Sequence, residues 1–268
     1  MPREILRALS FAALSALLIF CAARPALAQD LLGVVLLHDK SVPPDRYLSE
    51  LARVLRNVGF KVETPELPWS PRRGFDATFQ QALVEIGLAA EDLRQDGCTR
   101  IALVGHGLGG NAALAFAAHR EGVFAVVALA PAHDPVLHRE VFLPDVRKAR
   151  SMLTIGGGAK RSLFTDFNAD RDYDLSTTAE VYLSYNDPDG EAVMPRSCAA
   201  LKSSMPLLWV VGQQDPLRFL GASYAFAKAP HNSASAYEEV PGDHLNVPRN
   251  AARLVAQWLR GLVTSAGM

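Results

Sequence analysis

Ile101-Ala102-Leu103-Val104-Gly105-His106-Gly107-Leu108-Gly109-Gly110 decides the fold of this 268-residue chain. Four apolar residues read as a buried strand. The glycines after them make a sharp turn, and the small-residue run Asn111 to His119 continues as a helix. Gly105, Gly107 and Gly110 also satisfy G-x-G-x-x-G, the dinucleotide fingerprint. That fingerprint needs an acidic residue about 20 positions on, at the end of the next strand. Residues 125–130 are Ala-Val-Val-Ala-Leu-Ala, so the ribose partner is missing. No nucleotide or other cofactor is expected, and no metal.

Working outward, strand-like runs alternate with helical patterns, which argues for an α/β fold with a mostly parallel central sheet flanked by helices. Leu32 to His38 is nearly unbroken apolar sequence, as a strand buried on both faces requires. Leu48, Leu51, Leu55 and Val58 recur at helical spacing, and Lys61-Val62-Glu63 is a second strand. A helix is expected over roughly 77–94, a strand over 123–129, and a short helix near 195–203. A strand over 207–211, a further helix, a strand near 235–240 and a closing helix complete the order. Between about 132 and 180 the alternation breaks, and an irregular cap-like excursion over one end of the sheet is expected.

Charge and composition exclude some functions. The formal net charge is −1 and no basic block stands out, so no nucleic-acid partner is expected. Arg3 and Arg7 precede the apolar stretch Ala8 to Ala23, followed by Ala26-Leu27-Ala28. This is the layout of a secretory signal peptide over 1–28, with 29–268 as the exported, periplasmic or secreted domain. The stretch falls short of the roughly 20 apolar residues that span a bilayer, so no stable membrane anchor is expected after cleavage. Cys98 and Cys198 remain, and an oxidising compartment permits either a bridge or two separate buried thiols. Asp166, Asn168, Asp170, Asp172 and Asp174 alternate like the start of a calcium loop. However, Arg171 stands where the turn glycine belongs and Thr177 where the last carboxylate belongs, so a solvated acidic loop is expected.

Three further pieces accompany the turn at 105–110: His38-Asp39-Lys40 after the first strand, Asp215 after a late strand, and His244 after the final one. Nucleophile position, acid, then histidine is the chain order of a nucleophile elbow and its partners. Over residues 31 to 263 the chain resembles the α/β-hydrolase superfamily, in particular its serine esterase- and lipase-like members. The resemblance implies Asp215 as the acid that orients the imidazole and His244 as general base. It implies Leu108 N–H as one oxyanion donor, with the loop at Asp39 and Lys40 supplying the second.

The chain departs from that pattern twice. Gly107 stands where G-x-S-x-G has its serine, which leaves the nucleophile position vacant. The elbow holds its residue in a strained conformation that glycine adopts without steric cost. Loss of the nucleophile costs such enzymes on the order of 10⁶ in turnover. Asp39 stands where such chains commonly carry glycine, and a carboxylate near an oxyanion hole opposes the charge that develops there.

Three functions follow. The first is an exported hydrolase-fold protein that forms no acyl-enzyme and binds a small ester-like or apolar ligand. The second is a hydrolase or lyase in which His244 and Asp215 activate a water or abstract a proton. The third is a protein–protein interaction module marked by an exposed apolar patch. Oligomeric state is not legible.

Overall fold

The computed structural model describes residues 31–168 and 171–265. The expected signal peptide, and Asp170 of the acidic alternation, lie outside the described residues.

Six strands form one parallel sheet. In chain order they are β1 (Leu32–Leu37), β2 (Lys61–Glu63), β3 (Arg100–His106), β4 (Ala125–Leu129), β7 (Leu207–Gly212) and β8 (Ala236–Val240). Their spatial order is β2-β1-β3-β4-β7-β8. Every pairing is parallel, and Leu32 to Leu37 run in register with Arg100 to Gly105. Parallel strands need crossovers, and the helices that supply them cover both faces.

The period-two alternation of a strand divides the core into two halves. Val35, Leu37, Leu103, Val126, Ala128 and Trp209 point to one side. There they pack on α2 (Phe79–Gln95), α3 (Leu108–His119) and the elements beyond. Val34, Leu36, Ala102, Val104, Val127 and Val210 point to the other, against α1 (Ser49–Asn57) and α8 (Ala252–Ser265). α2 starts on a capping box, with Thr78 Oγ1 accepting from Gln81 N and Gln81 Oε1 accepting from Thr78 N.

Three expectations change. The 132–180 excursion is regular structure: α4 (Arg139–Thr154), then an antiparallel hairpin of β5 (Arg161–Asn168) and β6 (Arg171–Thr178), then α5 (Ala179–Asn186). The acidic alternation is the two legs of that hairpin, with Asp166 facing Tyr173 and Asp174 facing Thr165, so it is not a loop. α6 (Met194–Ala199) follows, as expected. The helix expected between β7 and β8 is instead a pair of 3₁₀ turns at Pro216–Leu220 and Phe226–Lys228. Pro216 and Gly221 bound the first turn and prevent a longer helix. After β8 a 3₁₀ turn (His244–Asn246) and a short helix α7 (Val247–Asn250) lead into α8. Cys98 and Cys198 are both free and buried, so the permitted bridge is not formed.

Candidate active site

The site lies at the carboxyl ends of the strands, the edge where open parallel sheets place their ligands. Asp39 follows β1, Gly107 follows β3, Asp215 follows β7 and His244 follows β8. All six residues expected at the site are brought together there: Asp39, Lys40, Gly107, Leu108, Asp215 and His244.

Gly107 has φ 55° and ψ −121°, between β3 and the first residue of α3. This is a conformation that residues with side chains rarely adopt, and it gives the elbow its sharpness. Packing demands small residues around it. A Cβ on Gly109 would lie 2.3 Å from the carbonyl oxygen of Leu37, so α3 can sit this close to β1 only without one.

The decisive feature is the Asp39 side chain. A Cβ built on Gly107 would lie 1.9 Å from Asp39 Oδ1 and 2.1 Å from its carboxyl carbon. The carboxylate therefore fills the space a nucleophile on residue 107 would occupy. Asp39 Oδ1 accepts hydrogen bonds from Leu108 N at 2.8 Å and from Lys40 N at 2.7 Å. These are the two backbone donors expected to form the oxyanion hole. Asp39 was expected to help supply a donor; its side chain instead accepts from both amides. The other carboxylate oxygen, Oδ2, lies 3.1 Å from His244 Nε2.

His244 is thus held between two acids, because its Nδ1 lies 3.0 Å from Asp215 Oδ2. Each carboxylate only accepts, so both ring nitrogens must donate, and a neutral imidazole has a single N–H. The ring is an imidazolium. Burial opposes that charge, but the hydrogen bonds and charges of Asp215 and Asp39 push its pKa up to about 10. Burial also opposes ionisation of Asp39. The hydrogen bond and charge of His244, with the Leu108 N–H, nonetheless hold its carboxyl well below the usual carboxylate range. Asp215 is anchored from behind, its Oδ1 accepting from Leu217 N at 2.7 Å.

Two layers of contacts hold the Asp39 turn. His38 Nδ1–H donates to Asp39 O at 2.7 Å and His38 Nε2 accepts from Leu67 N at 3.1 Å, which fixes the tautomer of a buried neutral ring. Trp69 Nε1 donates to His38 O at 2.9 Å. On the other side, Lys40 Nζ is buried and donates to Asp166 Oδ1, Phe167 O and His133 Nδ1. His133 Nε2–H donates to Tyr185 O, so Nδ1 is the bare acceptor. Burial and the Lys40 charge bring the His133 pKa down to about 3. Tyr173 Oη completes the cluster by donating to Asp166 Oδ2 at 2.5 Å. Lys40 thereby ties the amide that donates to Asp39 Oδ1 to the β5–β6 hairpin. The sequence expectation identified Lys40 only through its backbone and missed Asp166, His133 and Tyr173. Their one sequence signal was an acid embedded in an apolar stretch, Phe164 to Phe167.

His106, inside the elbow, is fully buried and donates from Nε2 to His244 O at 3.0 Å. Burial lowers its pKa to about 4, so it is neutral. One donor atom each from Asp39, His106 and His244 lies within 4.8 Å of the others. Both His244 nitrogens already serve carboxylates, so a cation at this point would compete with the imidazolium protons.

A cavity of about 480 Å³ opens beside the carboxylate. Asp39, His244 and Asp215 line its floor, and Leu137, Phe167, Leu217, Phe219 and Leu245 give most of it an apolar wall. Phe219 and Leu245 are also exposed apolar residues, so the exposed hydrophobic surface includes the cavity rim.

The geometry agrees with comparison to known proteins. The model of the alpha/beta hydrolase family matches residues 34–258. A monoacylglycerol lipase from Paleococcus ferrophilus is 21% identical, with a TM-score of 0.63 over 87% of this chain and 94% of that one. A thermostable carboxyl esterase from Bacillus coagulans, solved with glycerol, is 11% identical, with a TM-score of 0.63 over 88% and 91%. Est1E from Butyrivibrio proteoclasticus, solved with ferulic acid, is 17% identical, with a TM-score of 0.56 over 88% and 91%. These likenesses are of fold. No curated protein matches this chain in sequence. With the matched segment spanning the sheet from β1 to α8, the chain belongs to the alpha/beta hydrolase family.

Proposed function

We propose that this protein is an exported hydrolase-fold protein that forms no acyl-enzyme and binds a small, uncharged, apolar molecule in the cavity beside Asp39. The observation that carries the reading is the position of the Asp39 carboxylate. It accepts from both oxyanion-hole amides, so the carbonyl of an ester finds neither the donors nor, at Gly107, an attacking oxygen. The ligand is argued from the wall of the cavity, whose aliphatic and aromatic side chains favour apolar groups.

General-base catalysis by His244 in the resting protein is disfavoured, since an imidazolium bonded to two carboxylates has no lone pair for a water proton. The test combines two measurements on residues 29–268. A fluorophosphonate probe should leave the protein unlabelled, and calorimetry with hexan-1-ol should register saturable binding that a Leu217→Arg substitution abolishes. Specific fluorophosphonate labelling would contradict the reading. Export is tested by N-terminal sequencing of the secreted or periplasmic product, which should begin at Gln29.

A further inference from the structure

A second concavity, a groove of about 460 Å³, lies between α1 and α7 and shares only Leu245 with the cavity beside Asp39. Arg46, Tyr47, Ser49 and Glu50, at the start of α1, form one wall. Leu245 and Asn246, on the turn before α7, and Arg249 of α7 form the other.

The groove carries uncompensated positive charge. Glu50 is its one acid, and both oxygens of that carboxylate are taken by Arg53, Oε2 from Nε at 2.9 Å and Oε1 from Nη2 at 2.6 Å. Those hydrogen bonds, with the charges of Arg53, Arg249 and Arg253, hold the Glu50 carboxyl below its ordinary range. Arg46 and Arg249 make no ion pair among the described residues. Four arginines therefore gather where Glu50 and the neighbouring Asp45 are the acids, in a chain whose net charge is −1. Ser49 Oγ already donates to Asp45 O at 2.5 Å, and Asn246 Nδ2 to Asp243 Oδ1 at 2.7 Å. The uncommitted donors are the two guanidiniums and the Tyr47 hydroxyl, which makes no hydrogen bond among the described residues. The Arg46 guanidinium lies over the Tyr47 ring, 5.6 Å from its centre, which restrains it and leaves its N–H edge for a ligand.

The geometry points to this groove as a binding site for a phosphate monoester group. A carboxylate has one charge and two oxygens, which a single guanidinium fork satisfies. Two unpaired guanidiniums match a group with three terminal oxygens and a charge near −2, which a phosphate monoester has at neutral pH. The Tyr47 ring and the Leu245 side chain offer apolar surface to the organic remainder of the ester. The inference is independent of the cavity reading, since its donors lie outside that cavity. The groove is in ring contact with the site all the same. Tyr47 meets His106 edge-on at 6.3 Å, and the His106 ring lies 4.8 Å from that of His244, so an anion beside Tyr47 is felt at the imidazolium.

The test uses the whole exported chain and two probes that share the group. Calorimetry with phenyl phosphate, at low salt and about pH 7.5 where the monoester is a dianion, should give saturable binding. Arg46→Gln and Arg249→Gln should each weaken it about tenfold or more, and benzoate should bind the wild type weaker by a similar factor. Arg120→Gln, which removes an exposed arginine at the far end of α3, should leave binding unchanged. Proton NMR should show the Tyr47 ring and His244 imidazole resonances moving with phenyl phosphate in the wild type and not in the double variant. Sedimentation with phosphatidylcholine vesicles containing phosphatidic acid supplies the same monoester on a lipid. Vesicle binding lost in the double variant assigns the group to a lipid headgroup, and phenyl phosphate binding without vesicle binding assigns it to a soluble ester. Binding of neither probe overturns the inference, as does binding that survives the double variant or falls equally in Arg120→Gln. Hexan-1-ol binding that persists beside such a result leaves the cavity reading intact; its absence as well would remove both.

Discussion

Asp39 Oδ1 sits 2.8 Å from the amide nitrogen of Leu108, the residue immediately after the empty elbow position. A side chain delivered from β1 has thus taken the place that the α3 elbow would give to its own residue. The two substitutions are sterically coupled: an aspartate here fits only because residue 107 has no Cβ, and Gly107 leaves a space that Asp39 fills.

The ion pair at the centre gives stability a defined pH dependence. The folded pKa of His244 is raised from 6.5 to about 10, so its contribution is complete below pH 6.5 and is lost as pH rises through about 10. Asp39 is shifted down, so its contribution is present above the ordinary carboxylate range and is lost on acidification. Thermal unfolding should therefore show the pair's contribution at its greatest between about pH 4 and 6.5. Asp39→Asn should move the alkaline decline to lower pH. An unchanged alkaline limb in that variant would show that the proton on His244 is held by something else.

The imidazolium itself is visible to spectroscopy. Both ring N–H protons of His244 are hydrogen-bonded to carboxylates, so proton NMR should find two downfield imidazole resonances that persist above pH 8. Asp39→Asn should remove one of them near neutral pH.

Lys40 is expected to be among the costliest single positions outside the apolar core. Lys40→Met would leave the buried Asp166 carboxylate without its counter-charge, which costs about 3–5 kcal/mol. Lys40→Met combined with Asp166→Leu should recover most of the loss in denaturant unfolding. A double variant no more stable than the single would show that the pair is not coupled.

His38 holds the turn through its ring. His38→Ala leaves the Leu67 N–H without its acceptor and frees the Asp39 carbonyl, with an expected loss of about 1–3 kcal/mol. Hydrogen exchange should report faster opening at Leu67 and Lys40 than at the amides of β3.

Most of the sheet was legible because buried parallel strands are apolar on both faces and need no tertiary information to read. The elbow, Asp215 and His244 were legible because their spacing follows the strand ends. The direction of the Asp39 side chain was not, since its partners Leu108 and His244 lie 69 and 205 positions away. The 132–180 segment read as irregular for physical reasons. Pro144 lies inside α4, and in β5 the exposed Leu163 is apolar while the buried Asp166 is charged, which upsets the strand alternation. Asp166 read as solvated because it begins a run of alternating acidic residues, and nothing in that run gives a sign of a buried lysine 126 positions earlier.

Building a serine nucleophile into this frame tests the central claim most directly. Gly107→Ser alone forces a Cβ into the Asp39 carboxylate and strains the elbow, at an expected cost of about 2–4 kcal/mol. Gly107→Ser with Asp39→Gly clears both the nucleophile space and the oxyanion hole, and returns His244 to a single carboxylate partner. Fluorophosphonate labelling of the wild type, both single variants and the double variant is the measurement. The prediction is labelling at residue 107 in the double variant alone. Equal labelling of Gly107→Ser with Asp39 intact would contradict an oxyanion hole filled by that carboxylate.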